Sequence, residues 1–155
     1  MSLDQPTDFV KHQTTTRDAF LAGRITLSQP RNGFRAGFDS VLLGAAVREG
    51  TGNLLDLGTA GLVALAMERT GRATLVERHG ETAALARDNV KANGFVERAD
   101  VLELDILAPG AVRHAAGLRG NHFDAVIANP PFFGAGQGTL APEASRADAR
   151  HMAQE

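Results

Sequence analysis

Asn129-Pro130-Pro131-Phe132 is the segment of this chain with the clearest chemical content. It follows an apolar run, Phe123 to Ala128, that reads as a buried strand. Two prolines fix φ and remove two backbone donors, so the carbonyls of the corner stay free to accept. The Asn129 side-chain carbonyl can then stand beside a backbone carbonyl, both aimed at one amino group. Phe132 offers a flat face for stacking. Such a corner suits a planar nitrogen nucleophile, either the exocyclic NH2 of a base or a carboxamide. A Pro-Pro turn after a strand is also ordinary punctuation, so the reading depends on what precedes it.

Three acidic residues close earlier apolar runs. Asp56 opens Asp56-Leu57-Gly58-Thr59-Ala60-Gly61, a turn whose glycines let a ligand approach the backbone. The helix after it offers free N–H groups, although any strand-to-helix turn favours glycine. Glu77 lies roughly 20 residues after Asp56, where an acid can accept hydrogen bonds from both hydroxyls of a ribose. A surface ion pair with Arg78 or Arg69 is the plainer alternative. Asp105 can take an adenine amino group, or can cap the turn from Ile106 to Pro109. Arg35, in a Gly- and Phe-rich loop, can meet a phosphate or a cofactor carboxylate, or can pair with Asp39. His12, His79, His114, His122 and His151 show no metal-ligand spacing and read as surface residues, so no metal is expected.

The elements that must position these residues alternate regularly. A short strand or hairpin arm is expected over Leu21 to Gln29, and a helix over Asp39 to Val47 with Asp39 or Ser40 as its cap. Strands are expected at Asn53 to Leu57, Ala73 to Glu77, Ala99 to Leu104 and Phe123 to Ala128. Helices are expected at Leu62 to Arg69 and Glu81 to Asn93, the second closed by Gly94. Residues 108–121 read as a loop or poor helix. This rhythm predicts an α/β fold with a parallel sheet. Ligands of such sheets bind outside the carboxyl ends of the strands, where Asp56, Glu77, Asp105 and Asn129 would form one site. Four pieces follow: a flexible stretch over 1–17, a strand and helix extension over 18–50, the core over 51–133, and a flexible or helical tail over 134–155.

Composition narrows the classes. A chain of 155 residues, 43% hydrophobic and 22% charged, fits one soluble domain. With no cysteine, thiolate metal sites, disulfides and cysteine nucleophiles are excluded. A net charge of -2 gives no global attraction to nucleic acid, which leaves a local patch to serve. No apolar run reaches membrane-spanning length, and the first residues lack a signal-peptide pattern, so a cytoplasmic protein without membrane contact is expected.

Taken together, LLDLGTAG at 54–61, LVE at 75–77, ELD at 103–105 and FDAVIANPPFF at 123–133 resemble the S-adenosylmethionine-dependent Rossmann-like (class I) methyltransferases. The upstream block ITLSQPRNGFRAGFDSVLLGAAV at 25–47 is similar to the start of the bacterial tRNA adenine-N6 methyltransferases that act on the valine tRNA anticodon loop. The resemblance implies S-adenosyl-L-methionine as cofactor and RNA, tRNA in particular, as partner. It implies that Gly58, Thr59 and Gly61, with Asp56 nearby, hold the methionine moiety. Glu77 would take the ribose and Asp105 the adenine. Asn129 and the Pro130 carbonyl would orient the target amine within the corner that Pro131 completes. Phe132 and Phe133 would contact the flipped base, and Arg35 matches a motif of the upstream block.

Two departures from the family pattern are visible. The family loop reads Asp-x-Gly-x-Gly-x-Gly, whereas Ala60 stands at the second glycine here, and the spacing from the loop to Glu77 is short. A contracted loop should start the next helix early and crowd the methionine end. The family sheet also continues beyond the Asn-Pro-Pro corner, so this one is expected to be truncated after its fourth core strand. Its apolar edge at Ala125 to Ala128 would then be open to a partner or a second copy. Besides adenine-N6 methylation, two alternatives follow: guanine-N2 methylation of ribosomal RNA or protein-glutamine methylation, and an inactive domain that only binds cofactor or a partner.

Overall fold

The computed structural model describes residues 15–32, 35–130, 133–134 and 151–152. A parallel four-stranded sheet forms its centre, in the order β5-β4-β3-β6. These strands are β3 (Thr51–Asp56), β4 (Thr70–Glu77), β5 (Ala99–Glu103) and β6 (Ala125–Ile127). Between them run α2 (Ala60–Ala66), α3 (Gly80–Ala92) and α4 (Gly110–Ala115). This is a Rossmann-like α/β fold with helices flanking a parallel sheet, as the alternating apolar runs predict.

Side-chain alternation along the strands divides the core in two. Leu54 and Leu75 face one layer, with Leu62, Leu65 and Val90 from the helices and Ile25 and Leu27 from upstream. Leu55, Val76 and Leu104 face the other, against Ala108, Ala116, Leu118 and Phe123. Ala108, Ala116 and Leu118, which flank the short helix α4, supply this second layer, while α4 itself buries no residue.

Upstream, β1 (Thr15–Phe20) and β2 (Ile25–Pro30) form an antiparallel hairpin, followed by α1 (Phe38–Ala46). The sequence suggested a single arm here. The first arm, TTRDAF, is polar and has no fully buried residue, so its apolar alternation is too weak to read. Helix α1 starts from Gly37 without a side-chain cap, and Asp39 lies inside its first turn rather than at the cap. There it still complements the positive end of the helix dipole. Gly44 lets α1 approach α2: a Cβ on it would come within 2.9 Å of the Val63 side chain and 3.0 Å of the Ala60 carbonyl.

The hairpin is docked by two asparagines one turn apart on α3. Asn89 accepts from the Ser28 amide at 2.7 Å and donates to the Ser28 carbonyl at 2.9 Å. Asn93 treats Thr26 the same way, at 3.0 and 2.8 Å. One helical turn rises about 5.4 Å and two strand residues about 6.8 Å, so the amides can follow alternate residues of β2. Asn89→Ala would leave the Ser28 backbone groups without partners and should cost roughly 2–3 kcal/mol. Urea unfolding should show a lowered midpoint with an unchanged slope.

Helices α2, α3 and α4 end alike. The amides of Arg69, Phe95 and Leu118 reach back to the carbonyls of Ala64, Val90 and Arg113, at 2.9, 2.9 and 3.0 Å. Each closure passes through a left-handed residue: Gly94 and Gly117 in α3 and α4, and Glu68 at φ 56° in α2. Helix α2 therefore stops at Ala66, and β4 begins at Thr70, ahead of the expected Ala73. In the tail, the backbone of β7 (Phe133–Gly134) pairs in parallel with β8 (His151–Met152). The intervening tail, including the helix expected there, lies outside the described residues.

Candidate functional site

The chain runs from β3 outward through β4 to β5, then returns across the sheet to place β6 on the other side of β3. Between β3 and β6 the strand order reverses, which is where open α/β sheets take their ligands. The register sets Asp56 beside Ile127, and the Leu57 amide donates to the Ile127 carbonyl at 3.0 Å. On the other side Glu77 pairs with Glu103, and the Leu104 amide donates to the Glu77 carbonyl at 2.9 Å. Asp105, Glu77, the Asp56 turn and Asn129 therefore follow in that order along the carboxyl edge. Three strand spacings separate the ends of this row, roughly 14 Å.

Asp56 is buried beneath its turn, 1% exposed. Its Oδ2 accepts from the Gly61 amide at 2.6 Å. Burial pushes its carboxyl up to about 7, against the opposing pull of the Gly61 and Ala60 amides. Asp56 thus organises the turn from below. The first amides of α2 turn inward to it, and the helix starts at Ala60, ahead of the expected Leu62, as a contracted loop requires. Gly61 packs tightly as well: a Cβ would stand 2.8 Å from a Leu75 methyl and 3.2 Å from the Asp56 Cβ. Gly58 and Thr59 remain at the partly exposed crest of the turn.

Glu77 is half-buried, and its Oε1 accepts from the His79 amide at 2.8 Å. Arg69 leans toward Glu49, at 3.8 Å. Asp105 is exposed, and its Oδ1 accepts from the Leu107 amide at 2.9 Å, so the local turn-capping role read from the sequence is present. In both carboxylates one oxygen is fixed by the adjacent backbone, which aims the other.

At the opposite end of the row, Asn129 is partly buried and donates from Nδ2 to the Asp39 Oδ2 at 2.5 Å. Pro130 next to it is exposed. Pro131 and Phe132 lie outside the described residues, and Phe133 contributes the backbone of β7. Arg35 is not paired with Asp39. Its guanidinium reaches the Asp18 Oδ2 at 2.5 Å and the Pro30 carbonyl at 2.8 Å. Gln29 joins the same clasp, donating to Asp18 at 2.8 Å and accepting from the Ala36 amide at 2.7 Å. Arg35 therefore fastens the strand leading into α1. Sequence reasoning missed the Asp39 contact, because a polar residue in a first helical turn reads as a cap and its partner lies 90 positions away. Among the described residues no cluster of three or more His, Asp or Glu could hold a metal ion, and no helix is long and apolar enough to cross a membrane.

The chain is 35% identical over 127 residues to a tRNA1(Val) (adenine(37)-N6)-methyltransferase of Aeromonas salmonicida, covering 78% of this chain and 49% of that protein. It is 34% identical over 140 residues to the protein of the same description from Tolumonas auensis, covering 86% and 54%. The chain thus spans about half the length of the curated relatives it matches. Among solved structures it is similar to a predicted O-methyltransferase from Agrobacterium tumefaciens, with 36% identity and a TM-score of 0.50 over 60% of this chain and 49% of that one. The model of the small methyltransferase domain matches residues 38–152, from the first residue of α1 to the last of β8. With three-quarters of its length inside that match, and the carboxyl-edge row built as described, the chain belongs to the methyltransferase small domain family.

Proposed function

We propose that this chain carries the cofactor and amine-orienting half of an S-adenosylmethionine-dependent N-methyltransferase acting on an exocyclic amino group of RNA, adenine N6 in tRNA in particular. The observation that carries the reading is the single row Asp105, Glu77, Asp56 turn, Asn129 on the carboxyl edge at the strand-order reversal. The donor set fits the cofactor. The second oxygen of Glu77 suits ribose hydroxyls, that of Asp105 suits an adenine amino group, and Gly58 and Thr59 stand at the partly exposed crest of the turn between them and Asn129. The cofactor supplies an electrophilic methyl group on a sulfonium.

The protein's own part is binding and orientation. Asn129 Oδ1 and the Pro130 carbonyl accept the two hydrogens of the target amine and turn its lone pair outward from them. They also stabilise the positive charge that develops on that nitrogen as the new N–C bond forms. An amino group inside a stacked base must first be extruded. The relatives whose names specify tRNA adenine support this substrate class, and the corner after β6 supports a planar NH2.

The test begins with calorimetry. S-adenosylhomocysteine should bind the chain at micromolar levels, and Glu77→Ala should weaken it by about ten-fold or more, the value of one hydrogen bond to a charged group. Labelled cofactor with unmodified tRNA, ribosomal RNA or a glutamine peptide then identifies the acceptor. Binding indifferent to Glu77→Ala, or label on the peptide alone, would sink the reading.

A further inference from the structure

The geometry points to Asp39 as the residue that sets the orientation of the Asn129 amide, and so as a positioning residue for transfer to the amine. This inference rests on the methyl-transfer reading above and adds a residue that no family motif at the corner contains. A carboxylate only accepts hydrogen bonds. The atom of Asn129 that meets Asp39 Oδ2 at 2.5 Å is therefore its NH2. The amide is planar, so fixing the NH2 on Asp39 sends Oδ1 to the opposite side, where it accepts from no group among the described residues. Without Asp39 the amide can turn over at little cost and present a donor to the substrate amine, which repels it.

Asp39 is itself well held. It lies in the first turn of α1, favoured by the helix dipole, and its Oδ1 folds back over Gly37, where a Cβ would stand 3.2 Å from it. Helix α1 in turn is seated on α2 through Gly44, and the strand before it is clasped by Arg35 and Gln29. The carboxylate thus reaches across from a separate element, at a fixed height, to the first residue after β6.

A reciprocal exchange tests this. Asp39→Ala should leave S-adenosylhomocysteine affinity within about two-fold, because Asp39 is far along the row from Glu77, and should lower kcat for an adenine-containing RNA roughly ten-fold. Asn129→Asp should be at least as damaging, since two carboxylates then face each other. The double variant Asp39→Asn with Asn129→Asp restores one donor facing one acceptor and leaves an oxygen for the amine. It should recover most of the loss seen in Asn129→Asp. A role of Asp39 confined to the helix dipole would give no such recovery.

An unchanged kcat in Asp39→Ala, or a double variant no better than Asn129→Asp, would overturn the assignment. If the unaltered chain transfers no methyl group, the proposed function is what fails, and the side-chain amide resonances of Asn129 decide the positioning separately. They should be distinct and slow to exchange in the unaltered chain and should collapse in Asp39→Ala. Resonances indifferent to that substitution would overturn it.

Discussion

Asn129→Ala is expected to lower kcat for methyl transfer by roughly 100- to 1,000-fold, the scale seen when one preorganised partner of a developing charge is removed. The effect should fall on kcat and leave cofactor affinity nearly untouched, because the acceptor is used fully only as the nitrogen becomes positive. Alanine also frees Asp39, whose carboxylate then lacks its partner at the mouth of the corner. Single-turnover measurement with saturating cofactor and RNA separates this from slow product release. A variant that loses cofactor binding in step with rate would mean that Asn129 serves the cofactor and that the amine is oriented elsewhere.

The second large effect is expected from pH acting on Asp56. Its carboxyl is raised from 3.8 to about 7 by burial. Below about pH 4 the group is protonated in both folded and unfolded chain, and its contribution to stability is at its greatest. Between pH 4 and 7 the unfolded chain gives up the proton while the folded chain keeps it, so stability falls as pH rises. Above 7 the loss is complete, roughly 4 kcal/mol at 1.36 kcal/mol per pH unit. This slope is opposite to that of a carboxylate held in an ion pair. Asp56→Asn keeps an oxygen for the Gly61 amide and carries no charge at any pH. The stability difference between the two proteins, followed by urea unfolding from pH 4 to 8, should change by that amount. A difference independent of pH would show that solvent reaches the Asp56 carboxylate beneath the turn.

The parts of this fold that could be read from the sequence are those where a short apolar run meets an acid, a proline or a glycine. Strands β3, β4, β5 and β6 and helix α3 carry that signature, and their order alone puts four polar residues on one edge. What could not be read depends on contacts between distant segments. The arm Thr15–Phe20 exists because β2 offers it a ladder, not because its own residues alternate strongly. The start of α2 is displaced because Asp56, from below, replaces a side-chain cap at Thr59. Arg35 could be read as a ligand-binding cation or as a partner of Asp39, because Asp18, its actual partner, sits 17 positions earlier in a stretch with no strong pattern. Asp39 and Asn129 could each be noticed singly, and only the fold makes them a pair.

The asparagine docking of the hairpin has a consequence for how the molecule breathes. The Thr26 and Ser28 amides face side chains of α3 instead of a neighbouring strand. Their exchange with deuterated solvent therefore requires the hairpin to lift from the helix, and cannot occur by fraying of a sheet edge. Hairpin and helix should open together as one cooperative unit, with matched protection at Thr26, Ser28 and the middle of α3. The same unit begins just after Glu77 and, through Gln29, Asp18 and Arg35, ends at the segment that delivers Asp39. Local unfolding of that unit would release the turn after Glu77 and the segment that carries Asp39 at once, so that two separate positions along the carboxyl-edge row would loosen together.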